Sequence, residues 1–456
     1  MKFKNIIGIC TMSVMLAGCD YLDIVPKGES VIETVDDYAG LIEDLYPDYD
    51  QSNFVDLPIE ALHYNMDEVL NYKYPISSAN FLWDESYDRA KLIVKDDLYN
   101  SCYKRIAKYN ILLDGIDDAK GSDTKRESAK AQAHIMRAYN YFILVNLYAT
   151  AYDPQTAATD RAIIVRSEFN MESTPGQSTV KEVYDFIQND IDVALANLPA
   201  KKENAYRPGK AFGYALKAKV HLYKGELNEA IEAAKQTMNF DAALWRLEDY
   251  ADERKTNPYT RVDMNIPECL LHQNGINFMA PEPIHIVKEL ADLFEDTDLR
   301  KEALLAGRKH PLVEPGALAF GTNMGVRWNV SGIRFSEVYL ILAEAYARQD
   351  NSTEAMKYLN ELRSYRFRAE AFIPFQAKDA VEARKLVVDE RRRELMLTIN
   401  SFLDIKRYTK LPQYRETLRK EIRGVEYTLS PESHLYIMPF SIEALESNPN
   451  LIQNSK

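Results

Sequence analysis

The stretch that decides the fold occurs twice, as AKVHLYKGELNEAI at Ala218–Ile231 and as AEAYARQDNSTEAM at Ala343–Met356. In both copies small residues lie on a first helix, a turn-forming residue follows, and an alanine comes early in the next helix. Gly225 of the first copy aligns with Asp350 of the second, and both residue types support tight turns. This spacing is typical of tetratricopeptide-like repeats. Any antiparallel helix pair shares some of these features, but two matched copies favour a helical-repeat scaffold.

Two further stretches predict long helices. Residues 126–149 place apolar side chains at alternating steps of four and three, and their second half is apolar nearly all round. Such a helix is buried between neighbouring helices. Residues 179–198 repeat the pattern, and Pro199 ends the predicted helix.

Two segments between the helical blocks have a different character. Residues 51–85 are rich in Tyr, Asn, Pro and Phe, and residues 250–332 contain many prolines and glycines. Only 286–305 looks helical within the second segment, and no strand run is convincing. We therefore predict a mainly α fold, a tetratricopeptide-like helical-repeat scaffold with long loop-rich insertions that form a ligand-binding face. The predicted organisation is a signal peptide at 1–18 and one domain at 19–456, with the scaffold at about 86–249 and 333–410 and a tail at 411–456.

The first nineteen residues, MKFKNIIGICTMSVMLAGC, indicate export. Lys2 and Lys4 precede an apolar run, Ile6–Leu16, that is too short to span a bilayer. Small residues then precede Cys19, which is the layout of a secretory signal peptide. The cysteine at the cleavage site resembles that of bacterial lipoproteins, so we expect lipidation of Cys19. The alternative is an ordinary signal peptide with a chance cysteine.

Charge and cysteine content exclude several classes of function. The formal net charge is −13, and an acidic surface argues against nucleic-acid binding, which requires clustered cations. No later stretch is apolar enough to span a membrane, so the expected membrane contact is the lipid anchor alone. Cys102 and Cys269 remain after the signal, and the sequence leaves open whether they form a disulfide. No spacing of ligands predicts a metal site, and we expect no cofactor.

The sequence also argues against catalysis. The seven histidines form no HExxH motif, and GxSxG, P-loop and GxGxxG motifs are absent. The 69 acidic residues mean that counting does not exclude a glycosidase pair, whose geometry the sequence does not reveal. We expect a binding protein and not an enzyme.

A sugar-binding surface combines flat apolar rings with amide or carboxylate groups at their rim. Both loop-rich segments contain such residues. Any of these aromatic side chains could instead cover the core, and Trp245 is better explained by core packing. The candidate ligand-binding residues are Tyr72, Tyr74, Asn80, Phe81, Trp83, Phe278, Trp328 and Asn329.

The charged run Asp389–Glu394 (DERRRE) suggests a binding patch at first sight. At helical spacing, however, its acidic and basic members can pair with each other and with neighbouring helices. We therefore predict a structural helix joined by salt bridges, and we interpret Asp298 and Arg300 in the same way.

An ordered set of motifs resembles the SusD/RagB family of outer-membrane nutrient-binding lipoproteins. Each motif is weak alone, but together they run in the family's order over nearly the whole mature chain. One departure is Met396–Asp404, where the family usually has Glu-Gly and an Arg before Asp-Leu. The motifs are CDYLDIVPKG (Cys19–Gly28), RAYNYFILVNLY (Arg137–Tyr148), RPGK (Arg207–Lys210) with ALKAKVHLY (Ala215–Tyr223), Leu293-Phe294 with Asp298 and Arg300, RFSEVYLILAEA (Arg334–Ala345), ERRREL (Glu390–Leu395), and Pro439 through Glu443 to Asn448–Asn454.

The resemblance implies a specific function. Family members lie on the outer face of the outer membrane, anchored by lipid, and cover a TonB-dependent SusC-like barrel transporter. They bind an oligosaccharide, less often a peptide, and close over the barrel to deliver it. The alternative is a repeat-scaffold lipoprotein that binds a protein or peptide partner in the envelope. The aromatic, Asn-rich loops favour the first function.

Overall fold

The computed structural model describes residues 32–42, 61–62, 66–170, 172–257, 260, 262–273, 285–305, 318–319, 329 and 331–456. The described residues form a mainly helical fold, as the sequence predicts. The helices are α1 (Val35–Gly40), α2 (Met66–Leu70), α3 (Pro75–Leu82), α4 (Asp97–Gly115), α5 (Asp123–Tyr148), α6 (Val180–Asn197), α7 (Lys210–Lys224), α8 (Leu227–Thr237), α9 (Leu247–Thr256), α10 (Lys288–Ala291), α11 (Leu299–Ala303), α12 (Phe335–Arg348), α13 (Ser352–Ser364), α14 (Ala380–Glu394), α15 (Ile399–Tyr408) and α16 (Ile442–Ser447). The strands are β1 (Ala61–Leu62), β2 (Cys269–Leu271), β3 (His285–Ile286), β4 (Leu318–Ala319), β5 (Ile333–Arg334), β6 (Leu418–Ile422) and β7 (Val425–Leu429).

The two matched copies form two helix pairs, α7–α8 and α12–α13, which confirms the predicted repeat. Gly225 ends α7 with φ of 82°, and Asp350 follows α12 with φ of 59°, so both turn residues adopt the left-handed conformation. Helix α12 packs against both α7 and α8, so the second pair stacks on the first. Arg348 Nη1 donates to the Leu222 carbonyl at 3.2 Å across this junction.

Helix α5 is the centre of the scaffold. It confirms the helix predicted over 126–149, and every residue from Ile135 to Tyr148 is buried. Helices α4 and α6 pack on it, and α6 packs in turn on α7. A capping box formed by Thr179 and Glu182 starts α6, which ends before Pro199 as predicted. The helices therefore stack in a continuous series from α4 to α8, continued by α12, α13 and α14.

The loop-rich segments contain more regular structure than the sequence suggests. Helix α3 lies within 51–85, and the predicted helix over 286–305 is limited to the short helices α10 and α11. The expectation that no strand forms is wrong, because β6 and β7 pair as an antiparallel hairpin from Leu418↔Leu429 to Ile422↔Val425. Arg423 and Gly424 form its turn with φ of 50° and 78°, as a two-residue hairpin requires.

Strands β1, β3 and β4 form a small sheet, and β2 pairs with β5. Strands β3 and β4 border a second apolar cluster, formed mainly by residues 247–305, whereas Leu271 of β2 and Ile333 of β5 belong to the main core. Trp245 packs against this cluster, with its ring centroid 5.2 Å from that of Tyr250, in agreement with its predicted packing role.

The DERRRE run lies in α14 and confirms the predicted salt-bridged helix. Glu390 Oε1 accepts from Arg300 Nη1 at 2.7 Å, and Glu390 Oε2 accepts from Arg393 Nη2 at 2.6 Å. Glu394 accepts from Arg300 and from Arg366 at 2.8–3.0 Å. We call the whole set the buried charge network; it comprises Glu268, Glu295, Asp298, Arg300, Arg334, Arg363, Arg366, Glu390, Arg393 and Glu394.

Positive and negative charges balance in the buried charge network, with five arginines and five carboxylates. Burial opposes ionisation of Glu390, but Arg300, Arg393 and Arg363 outweigh it and lower the pKa of Glu390 to about 2. The network therefore joins α11, α13 and α14 to the chain around β2 through ionised side chains.

Cys102 and Cys269 are both free and buried, so the pairing left open by the sequence is absent from the described part of the chain. Burial raises the pKa of Cys102 to about 12 and that of Cys269 to about 11. None of the described helices is long and apolar enough to cross a membrane.

Candidate functional site

The described part of the first loop-rich segment presents a cluster of tyrosines. Helix α2 ends at Leu70, and Tyr72 follows with φ of 54°. The Tyr72 hydroxyl donates to Asp84 Oδ2 at 2.5 Å, and its ring stacks on that of Tyr87 with centroids 5.3 Å apart. Tyr74, two residues further on, is 49% exposed. We call Tyr72, Tyr74 and Tyr87 the tyrosine platform.

Asp84 supplies a carboxylate at the edge of the tyrosine platform. Its Oδ1 accepts from the backbone N–H and the hydroxyl of Ser86 at 3.0 and 2.6 Å. Burial favours the neutral form of Asp84, but the hydrogen bonds from Ser86 and Tyr72 outweigh it and lower its pKa. Burial and the neighbouring Asp84 raise the pKa of Tyr72. At neutral pH the platform therefore combines phenolic rings with an ionised acceptor.

The structure places Tyr72 and Tyr74 of the predicted site residues on this surface. Tyr87 is a residue that sequence reasoning missed. The sequence pattern gave little indication of Tyr87, because this residue lies five residues beyond the end of α3 and is separated in sequence from the Tyr72–Tyr74 pair. Only the fold of residues 72–87 shows that Tyr87 stacks on Tyr72.

Three other predicted residues of this segment lie in the interior. Asn80 is buried and its Oδ1 accepts from Arg89 Nη1 at 3.0 Å. Phe81 is 3% exposed and Trp83 is 4% exposed. The Lys420 ammonium of strand β6 lies 4.2 Å from the centroid of the Phe81 ring and 4.1 Å from that of Trp83.

The surface position expected for Asn80, Phe81 and Trp83 is therefore corrected. The physical reason is that α3 turns this part of the segment towards the core, where strand β6 covers it. Their side chains pack in this structure, and a direct contact with ligand stays a prediction for each of them.

The second loop-rich segment contributes one described candidate. Asn329 is 7% exposed, and its Oδ1 accepts from the backbone N–H groups of Gln273 and Gly332, each at 3.0 Å. Its Nδ2 donates to the Leu271 carbonyl at 2.7 Å. The Asn329 amide thus fastens the strand pair β2–β5 instead of lying at a surface. Phe278, Trp328 and the predicted lipidation site Cys19 lie outside the described residues.

The groups on the tyrosine platform define the contacts that this surface can make. Among the described residues, no group of three or more His, Cys, Asp or Glu side chains could hold a metal ion. The platform presents aromatic rings and an acceptor, which suit the apolar faces and the hydroxyl groups of a sugar.

Two family models match the chain. Residues 20–222 match a SusD-like family described as "Starch-binding associating with outer membrane". Residues 319–456 match the SusD family. Together the two matches cover more than half of the chain; they include the whole second repeat copy and the first five residues of the first.

Individual proteins of known sequence or structure are also similar. The SusD-like protein P2 of Formosa agariphila is 24% identical over 396 residues, which cover 73% of this chain and 74% of that protein. A SusD superfamily crystal structure from Bacteroides thetaiotaomicron has a TM-score of 0.72 at 19% identity and covers 93% of this chain and 100% of its own. A laminarin-binding SusD-like protein has a TM-score of 0.63 at 18% identity, covering 92% of this chain and 97% of its own.

Proposed function

The chain belongs to the SusD/RagB family, and we propose that it binds an oligosaccharide at the cell surface and delivers it to a partner transporter. The observation that carries this proposal is the tyrosine platform, in which Tyr74 is exposed and Tyr72 and Tyr87 are half-buried, on a fold shared with a laminarin-binding protein. Family membership supports carbohydrate as the ligand class, and it supports a binding role without catalysis.

The platform can recognise a sugar by two complementary contacts. The C–H face of a pyranose ring packs on the exposed ring of Tyr74, and hydroxyl groups donate to the carboxylate of Asp84. Tyr72 and Tyr87 are held in place by their stacking and by the Asp84 hydrogen bond, so little side-chain entropy is lost on binding. Trp328 and Phe278 remain proposed members of the same ligand-binding face.

We further propose that Cys19 anchors the protein by lipid to the outer membrane, facing the exterior. The partner is a SusC-like TonB-dependent barrel, over which this protein acts as a lid. The family description supports association with the outer membrane. Capture, lid closure and release then require that the ligand contacts both lid and barrel.

Titration calorimetry tests the ligand-binding proposal. The chain without its predicted signal peptide is titrated with laminarin and starch oligosaccharides and with a panel of plant and microbial glycans. We expect Tyr74→Ala to weaken binding of the recognised glycan about tenfold, which corresponds to about 1.4 kcal/mol. Trp328→Ala tests the second segment in the same assay.

Phe169→Ala is the matched control, because Phe169 is 44% exposed and belongs to neither loop-rich segment. Unchanged affinity in Tyr74→Ala, with the recognised glycan still bound, would refute the platform as the site. A folded protein that binds no glycan in the panel would refute carbohydrate capture. Co-purification of an outer-membrane barrel from the native host then tests the proposed partner.

A further inference from the structure

A groove of about 620 Å³ lies between α14, α15 and the chain that leads into β6. Its volume falls within the roughly 300–1,000 Å³ typical of small-ligand pockets. Val388, Ile405 and Leu418 supply apolar side chains to its walls. The rings of Tyr408 and Tyr414, which also line it, stack with centroids 4.8 Å apart. This groove shares no residue with the tyrosine platform.

The charges under the groove do not balance. Glu344 lies 2.5 Å from Arg407, 3.4 Å from Arg391 and 3.8 Å from Arg348. Asp404 accepts from Arg391 Nε at 2.8 Å and from Arg407 Nε at 2.9 Å. All five side chains are largely buried. Within the described residues, three arginines thus share two carboxylates, whereas the buried charge network is balanced.

Two polar groups at the groove have no hydrogen-bond partner among the residues that the structure describes. Arg391 is 2% exposed, and its Nη1 donates no hydrogen bond within the described part of the chain. The hydroxyl of Tyr414 likewise has no partner among those residues. Both side chains line the groove. Buried donors are nearly always satisfied in native proteins, so two unsatisfied groups in one concavity indicate a ligand with acceptors.

The groove is also cationic on an acidic protein. Arg384, Lys385, Arg392 and Arg415 line it together with Arg391, against the acidic residues Asp389, Asp404 and Glu416. The chain as a whole has a formal net charge of −13. Arg384, Lys385 and Arg415 pair with Asp350, Asp389 and Glu432. The local excess of positive charge therefore comes from the three arginines that share Glu344 and Asp404, and it favours an anionic ligand.

We propose that this groove binds an acidic sugar unit, whose carboxylate accepts from Arg391 and Tyr414 and whose ring packs against the tyrosines and the apolar walls. The inference rests on the proposed carbohydrate-binding function for the class of ligand. The size and concavity of the groove favour a few sugar rings over a protein surface. An arginine fork and a phenol are suitable donors for a carboxylate.

Titration calorimetry with five probes tests the proposal. They are the tetrasaccharides of galacturonic, mannuronic and guluronic acid, neutral cellotetraose, and hexaglutamate as an acidic peptide. We expect at least one acidic tetrasaccharide to bind at least tenfold more tightly than cellotetraose. Its affinity should fall about fivefold in Arg392→Gln, which removes a cation that lines the groove, and about threefold in Tyr414→Phe, which keeps the packing of the ring.

Lys378→Gln is the matched control, because it removes one positive charge from an exposed residue outside the groove. The proposal is overturned if none of the three acidic sugars binds, if both groove variants bind like the native protein, or if hexaglutamate binds more tightly than the sugars with the same sensitivity. Tyr74→Ala separates the two proposals, since it should weaken the platform ligand and leave the acidic tetrasaccharide unaffected.

Discussion

Glu390 gives the sharpest test of the energetic role of the buried charge network. The carboxylate is fully buried and accepts from Arg300 at 2.7 Å and from Arg393 at 2.6 and 2.9 Å. In Glu390→Gln the shape is kept, but the three surrounding arginines face a neutral amide that has only one acceptor atom. Removing one partner of a buried ion pair costs about 3–5 kcal/mol.

The lowered pKa of Glu390 gives a second, independent value for the free energy that this carboxylate contributes to folding. A decrease from 4.5 to about 2 corresponds to about 3 kcal/mol of stabilisation of the folded state at neutral pH, because a tenfold change in an equilibrium is worth about 1.4 kcal/mol. Between pH 4.5 and 2 the unfolded chain binds this proton and the folded chain does not. The stabilisation is therefore complete above pH 4.5 and is lost as the pH falls towards 2.

Urea denaturation, monitored by circular dichroism, measures the difference in free energy of unfolding between the native protein and Glu390→Gln. We expect the free energy of unfolding of Glu390→Gln to lie about 3 kcal/mol below that of the native protein at pH 7, with the gap narrowing below pH 4.5. Asp389→Asn is the control, because among the described residues Asp389 pairs with Lys385 alone, whose side chain is 71% exposed, and it should cost less than about 1 kcal/mol. A gap below about 1 kcal/mol for Glu390→Gln at pH 7, or one independent of pH, would refute the reasoning.

Three further predictions concern the repeat turn, the hairpin and the thiols. Gly225→Ala should lower the free energy of unfolding by about 1–2 kcal/mol in urea, because alanine is strained at φ of 82° although the site has room for its methyl group. Lys420→Met should cost about 1 kcal/mol and alter the near-ultraviolet circular dichroism, because it removes the cation from the face of Trp83. Cys102 and Cys269 should not react with Ellman's reagent in the folded protein and should both react in urea, since both thiols are buried with raised pKa values.

Each of these three predictions has a control variant or an outcome that would contradict it. Gly176→Ala, in open space with no positive φ, should be nearly neutral; equal costs at the two glycines would contradict the strain argument. Arg419→Met alters the exposed face of the same strand and should leave the Trp83 signal unchanged. Rapid labelling of a native thiol would show that its burial is incomplete.

The sequence predicted the scaffold well because its signals are local and periodic. The small residues of the two repeat copies, the turn residues Gly225 and Asp350, and the apolar pattern of α5 each depend on neighbours a few positions away. The DERRRE run was also interpreted correctly, since buried positions three and four residues apart demand internal pairing.

The hairpin and the site were harder to predict. Strand β6 has the sequence LRKEI, with three charged residues in the middle. Only the structure shows that Leu418, Lys420 and Ile422 are alternately more buried, as in a strand. The burial of Trp83 depends on that same hairpin, because Lys420 covers its ring. Such contacts join positions more than 300 residues apart, and no local pattern records them.

Because its charges balance, the buried charge network can select the native register of the helices during folding. Arg300 and Glu390 are 90 residues apart, and Glu268 and Arg366 are 98 apart, so these pairs form only after distant segments have met. A helix shifted by one turn could bury similar apolar area but would leave a charge without its counterion. We expect such misregistered packings to be unstable and to rearrange until every buried charge has its counterion. The network thus favours the native packing over the shifted alternatives. Replacing Arg300 and Glu390 together by methionine and leucine should then give several slowly exchanging packings in nuclear magnetic resonance spectra, and a single sharp set of resonances would contradict this role.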